Sequence, residues 1–254
     1  MIVTRVTADG VRRRPDQLIV EEPMTIQLDG VTVSTTMRTP GNDYELAAGF
    51  CFTEGLLGGA RITSVRYCAA GSALATSYNV VTVETGGRAP VPAPRLATTS
   101  SSCGWCGSDQ IDDLLARLAP LPPSEPIDHE VAARVPAAVL DGQGLFGATG
   151  AVHAAAVFDR EGRVLLTRED VGRHNAVDKV VGALLLEQAL PATGRGLFVS
   201  GRASVEMVQK AWAAGFGTLV SVSAPTSLAV HAARTASMTL VGFVRDAGYN
   251  VYAP

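Results

Sequence analysis

Cys103 and Cys106 stand two residues apart in "TTSSSCGWCGSDQ", flanked by glycines and by a run of hydroxyls. A CxxC pair can hold zinc, trade a disulfide or carry a sulfur atom. A strong zinc site shows a second ligand pair, and none appears in the chain. A thioredoxin-like dithiol starts a helix directly after a strand. Here Gly86–Ser102, a stretch of Gly, Pro, Thr and Ser that reads as a loop, intervenes. The other two cysteines, Cys51 in "AAGFCFTEG" and Cys68 in "SVRYCAAG", have apolar neighbours and read as buried, inert thiols.

A second set of reactive side chains lies further on. "RED-VGRH" (Arg168–His174), "SGRAS" (Ser200–Ser204), "SAPTS" (Ser223–Ser227) and "FVRDAGYN" (Phe243–Asn250) each follow an apolar strand pattern. Open α/β sheets bind ligands beyond the carboxyl ends of their strands, where helix N-termini point. The free N–H groups of a helix start favour phosphate. Gly201 lets backbone approach closely, and Arg202 adds a cation with fork geometry. Arg173 and Arg245 fall on the same predicted rim, so three arginines suggest a phosphorylated ligand. The plainer alternative pairs them with Glu169, Asp170 and Asp246. His174 and Asp178 are four apart and share a helix face. His153, within a strand pattern, reads as a core residue.

These residues need elements to position them. "MTIQLDGVTVSTTM" alternates on both sides of Asp29-Gly30 and predicts a hairpin. "NDYELAAGFCFTEGLLGG" reads as a helix capped at Asn42 or Asp43 and ended at Gly58-Gly59. "SDQIDDLLARLAPL" reads as a short amphipathic helix. Pro120–Pro126, "PLPPSEP", is the clearest linker, so the chain divides into an α+β segment 1–119, a linker 120–127 and a larger segment 128–254. The latter reads α-β-β-α-β-α-β-α-β, with "MTLVGFVR" as its last strand and Pro136 kinking or starting its first helix. Apolar strands alternating with helices imply a mostly parallel sheet covered on both faces.

Composition adds bounds. The 254 residues carry 21 Lys+Arg against 24 Asp+Glu, a formal charge of −3 that points neither to nucleic acid nor to an anionic membrane. The longest apolar runs, such as Val180–Leu186, are too short to span a bilayer. No secretory h-region opens the chain, so a cytoplasmic protein is expected.

The helix–strand order of the second segment resembles the cytidine deaminase scaffold, giving an α/β class with an α/β/α-layered larger domain. Zinc deaminases need H-x-E at one helix start and P-C-x-x-C at the next. The matching stretches here read "VGRHNAV" and "SGRASVE", so that chemistry is absent. Five stretches, "RTPGNDYELAAGFCFTEGLL", "SSCGWCG", "TREDVGRHNAVDKVVG", "SGRASVEMVQKAWAAG" and "GFVRDAGYNVY", together resemble the FdhD/NarQ family of sulfurtransferases needed for active formate dehydrogenase. The resemblance implies that Cys103 accepts sulfur as a persulfide from a cysteine desulfurase. The sulfur then passes to bis-molybdopterin guanine dinucleotide molybdenum cofactor, a bound substrate, before its insertion into formate dehydrogenase. It implies that the nucleotide end of that cofactor, a GDP-like moiety, meets Phe243, Val244, Arg245, Asp246, Ala247 and Gly248, with Gly201 and Arg202 on the same rim, and that the protein is a homodimer without structural metal. Carrier chemistry suits the residues. Gly104 and Gly107 free the backbone, the hydroxyls solvate the arm, and Cys106 resolves or shelters the persulfide in a secondary role. Trp105 either docks the loop on a partner or packs on its own domain.

Overall fold

The computed structural model describes residues 1–67, 77–91, 118, 120–122, 127–245 and 248–254. Cys68, Cys103, Cys106, Asp246 and Ala247 lie outside the described residues, as do the predicted loop beyond residue 91, most of the helix predicted after it, and linker residues 123–126.

In the first half, β1 (Ile2–Thr7) and β2 (Gly10–Pro15) form an antiparallel ribbon. The predicted hairpin follows as β3 (Glu22–Leu28) and β4 (Val31–Arg38). Asp29 and Gly30 both take positive φ, as a tight turn matching the strand twist requires. β5 (Ser64–Tyr67) and β6 (Val80–Glu84) complete a sheet in the order β4-β3-β6-β5. Every second residue of β3 (Met24, Ile26, Leu28) is buried, and these pack with Leu46, Ala47 and Cys51 of α1 (Asp43–Thr53). The helix ends at Thr53, before the predicted glycine pair. Asn42 precedes it in the left-handed region without a side-chain cap, because the Asp43 carboxylate and the buried Arg38 organise this turn instead.

The second half opens with α2 (His129–Leu140), which Asp128 caps through Glu130 N–H at 2.7 Å. Pro136 lies inside this helix and does not start it. An unforeseen short helix, α3 (Gly144–Thr149), follows. Then come β7 (His153–Phe158), β8 (Val164–Asp170), α4 (Arg173–Leu186), β9 (Gly196–Val199), α5 (Val205–Ala213), β10 (Thr218–Ser221), α6 (Ser227–Thr235), β11 (Thr239–Arg245) and β12 (Gly248–Ala253). The expected last strand is therefore followed by another.

The sheet runs β12-β11-β10-β9-β7-β8, and it corrects the expectation of a mostly parallel one. Only β9-β10 and β10-β11 are parallel, while β8-β7, β7-β9 and β11-β12 are antiparallel. The cause is connection length. Parallel neighbours need a crossover of a dozen or more residues, whereas only a few residues of chain separate β7 from β8 and β11 from β12. Helices cover both faces. α4, α5 and α6 pack through Val177, Val181, Val208, Trp212 and Ala232 on one, and α2 packs through Ala132, Val135 and Val139 on the other.

The two halves meet where α1 crosses α4. A β-carbon on Gly49 would lie 1.9 Å from the Asp178 carbonyl oxygen, and one on Gly182 would lie 1.8 Å from that of Glu45. The backbones therefore touch directly. Buried ions lock the crossing. Lys210 Nζ donates to Asp178 Oδ1 at 2.8 Å, to Oδ2 at 2.9 Å and to Thr53 Oγ1 at 2.8 Å. Burial works against the Lys210 ammonium, but the Asp178 and Glu54 carboxylates outweigh it and hold its pKa above the ordinary value.

Candidate functional site: a rim of strand ends and helix starts

The mixed sheet still gathers the predicted rim on one edge. The end of β8, the start of β7, the ends of β9, β10 and β11 and the start of β12 lie side by side there. Hydrogen bonds to backbone carbonyls lace the loops together. Ser221 Oγ donates to the Gly201 carbonyl at 2.7 Å, and Thr226 N–H donates to the Ala203 carbonyl at 3.1 Å.

"EDVGRHNAVDK" divides sharply in this setting. Glu169 accepts Leu145 and Phe146 N–H at 2.9 and 2.8 Å, which caps α3. Buried Asp170 accepts from Thr39 N, Gly172 N and Asn175 Nδ2, and pairs with Lys179 at 2.8 Å. Asn175 also donates to the Met37 carbonyl, and Lys179 to the Thr39 carbonyl. These residues bind the two halves together. They do not neutralise the arginines, so the plainer pairing of Arg173 with Glu169 or Asp170 is not what forms. Asp178 is likewise taken by Lys210 and Thr53, so sharing a helix face does not make it a partner of His174.

What remains is Arg173 and His174. Among the described residues, the buried side-chain polar atoms without a hydrogen-bond partner are Arg173 Nε, His174 Nε2 and Ser204 Oγ. All three sit at the starts of α4 and α5, neither of which has a side-chain cap. Burial lowers the His174 pKa to about 4, assisted by the positive charges of Arg173 and Lys210, so its imidazole is neutral at pH 7.

The predicted residues of the last strand separate by exposure. Arg245 and Gly248 are exposed, and Phe243 is 41 % exposed, whereas Val244 is 1 % exposed and packs in the core. Val244 can therefore shape the rim only through its backbone. Phe243 takes φ +54°, a left-handed conformation that costs a bulky side chain about 1–2 kcal/mol. It falls in a bulge between Gly242 and Arg245, with its N–H on the Ser223 carbonyl at 3.2 Å. Strain of this kind gathers at functional edges. Arg202 is exposed beside Gly201. β10 separates the ends of β9 and β11, which places Gly201 and Arg245 about two strand spacings, ~10 Å, apart.

His153 is the residue that sequence reasoning misplaced. It is half-buried at the rim, not in the core, because β7 runs antiparallel and its first residue lies beside the end of β9. Its Nδ1 lies 3.3 Å from Ser200 Oγ. Burial and the Arg173 charge lower its pKa. Cys51 matches its expectation. It is buried, and burial with the nearby Asp178, Glu54 and Asp29 charges pushes its thiol up to about 12, far from a reactive thiolate. No group of three or more His, Cys, Asp or Glu side chains among the described residues could hold a metal ion. No described helix is long and apolar enough to cross a membrane.

Fold and site together define a mixed α/β protein with an arginine-bearing rim of strand ends, where the starts of α4 and α5 lack side-chain caps. The comparisons narrow this. A model of the FdhD/NarQ family matches residues 19–254, and the chain belongs to that family. It is 45 % identical over 257 residues to the sulfur carrier protein FdhD of Mycolicibacterium paratuberculosis, covering 98 % of this chain and 94 % of that one. It is 46 % identical to the protein of the same name from Nocardia farcinica, covering 99 % and 91 %. A crystal structure from Desulfotalea psychrophila, described as a formate dehydrogenase accessory protein, superposes with a TM-score of 0.77 at 25 % identity, covering 100 % of this chain and 96 % of that one.

Proposed function

We propose that this protein is a sulfurtransferase that carries persulfide sulfur from a cysteine desulfurase to the bis-molybdopterin guanine dinucleotide molybdenum cofactor, as a step in making formate dehydrogenase active. The relatives' shared name as sulfur carriers supports the carrier role, and the CGWCG stretch supplies a residue for it. The observation that carries the acceptor side is the rim. Its exposed Arg202 and Arg245, its partnerless Arg173 Nε and its uncapped helix starts suit a bulky anionic substrate.

In this reading the Cys103 thiolate attacks the terminal sulfur of the desulfurase persulfide. An S–S bond forms on Cys103, the donor S–S bond breaks, and the desulfurase thiol leaves. Cys106 then attacks Cys103 Sγ, releasing the sulfur as sulfide to the cofactor and leaving a disulfide that a cellular dithiol reduces. The cofactor's GDP-like end rests against Phe243–Arg245, Asp246, Ala247 and Gly248, with Gly201 and Arg202 beside it. The reading includes a cytoplasmic homodimer, and a larger half layered as in cytidine deaminases. Helices on both faces of the six-stranded sheet support the latter.

The test is mass spectrometry after incubation with cysteine and a desulfurase. One added sulfur on the peptide that holds Cys103, lost in Cys103→Ala, is expected. Cys103→Ala cells should also lack formate dehydrogenase activity. Full activity in those cells would end the carrier assignment.

A further inference from the structure

The first ribbon has an apolar face that nothing in its own chain covers. β1 and β2 form a sheet of two strands, and no residue of either belongs to the buried clusters. An isolated pair of strands is at best marginally stable in water and gains stability when a hydrophobic face is packed. Residues paired across an antiparallel ladder share a face, and successive pairs alternate. The pairs Ile2–Pro15, Thr4–Arg13 and Val6–Val11 therefore stand on one side. Ile2, Val6 and Val11 are 56 to 72 % exposed there, with Arg13 among them.

A second bare surface lies at the corner where α2 runs into α3. α3 has no charged residue and buries none of its six residues, and Glu169 holds it in place from β8. Leu140 at the end of α2 and Leu145 and Phe146 of α3 are 38 to 55 % exposed. A tight turn joins them, in which Gln143 N–H donates to the Leu140 carbonyl at 3.1 Å. Asp141 is exposed in that turn. Among the described residues neither Arg13 nor Asp141 has an ion-pair partner. Contiguous exposed apolar surface marks an interaction site. Here two such surfaces each carry one unpaired charge, and the charges are opposite.

We infer that the ribbon of one chain docks on the α2–α3 corner of a second copy, with Ile2, Val6 and Val11 against Leu140, Leu145 and Phe146, and Arg13 against Asp141. Both halves of the contact belong to this chain and both are exposed, so neither covers the other within it. Two-fold symmetry makes the contact twice, the ribbon of each chain on the corner of its partner, and closes the pair. Ribbon against ribbon would bring arginines together, and like charges in contact cost affinity. The inference rests on the homodimer of the proposed function and adds which surfaces form it. The family match begins at residue 19, after the ribbon, so substitutions there leave the matched core untouched.

Sedimentation equilibrium of the full-length protein tests it. Wild type should be a dimer that weakens as salt rises. Val6→Asp and Phe146→Ser should each weaken the dimer about tenfold or more, with unchanged circular dichroism. Arg13→Asp and Asp141→Arg should each do the same by setting like charges together. An equal mixture of those two charge variants should dimerise as wild type does, because each ribbon then meets a corner of opposite charge. A dimer unmoved by all four substitutions would overturn the interface and leave the homodimer standing. Weakened charge variants that stay apart when mixed would overturn the docking as well. A wild-type monomer would overturn the inference and the homodimer together, and its binding to phosphatidylglycerol vesicles would give the ribbon to a membrane surface instead.

Discussion

His174 shows how little of a reactive motif need be reactive. It opens α4 within a run of residues that are otherwise spent on structure, and burial keeps it uncharged. Its pKa of about 4 has a consequence for stability. An unfolded histidine titrates near 6.5. Between those values the unfolded chain binds the proton and the folded one does not, so folding is favoured above pH 6.5 and loses stability as pH falls toward 4. The single group should remove about 2 kcal/mol between pH 7 and pH 5. Urea unfolding at the two pH values should show a smaller decline in His174→Asn than in wild type. An equal decline would place the acid sensitivity elsewhere.

Among the elements, the contact of α1 with α4 dominates. Helices ordinarily pack with their axes 8–10 Å apart, because side chains intervene. Gly49 and Gly182 remove them at the crossing, and the added methyls of Gly49→Ala and Gly182→Ala would fall 1.9 and 1.8 Å from backbone oxygens. Either substitution should cost at least about 2–3 kcal/mol through forced separation of the helices. Gly147→Ala in α3 is the control, since nothing lies within 4 Å of the added methyl and helix propensity favours alanine. Denaturant midpoints that fall equally in all three would show that the crossing is not the cause.

Across the whole molecule, the same crossing joins two sheets that the sequence separates. Asp170 reaches back to Thr39, Asp178 to Thr53, and Lys210 to Thr53 and Glu54. A structure tied by buried ions at several points should unfold as one unit, with a single calorimetric transition whose two enthalpies agree. Lys210→Met would leave the Asp178 carboxylate buried without its counter-charge, a loss of about 3–5 kcal/mol. Two resolved transitions in the wild-type protein would mean that the halves are not coupled through this contact.

Local pattern was enough for the β3-β4 hairpin, for α4, α5 and α6, and for the strand ends that gather on one rim. Alternation and helical period are properties of neighbouring residues and survive in any context. Strand direction was legible only where a short connection forces an antiparallel pair, as for β7-β8; that β7 also runs antiparallel to β9 depends on partners distant in the chain. His153 was misread for that reason, since only the antiparallel course of β7 brings it to the rim. The division of "EDVGRHNAVDK" was hidden too. Chain order alone determined that arginine, histidine and acid would crowd one helix start, but which of them stayed free depended on Thr39, Thr53 and Lys210. Those partners are distant in sequence, and only close packing decides which charges they cancel.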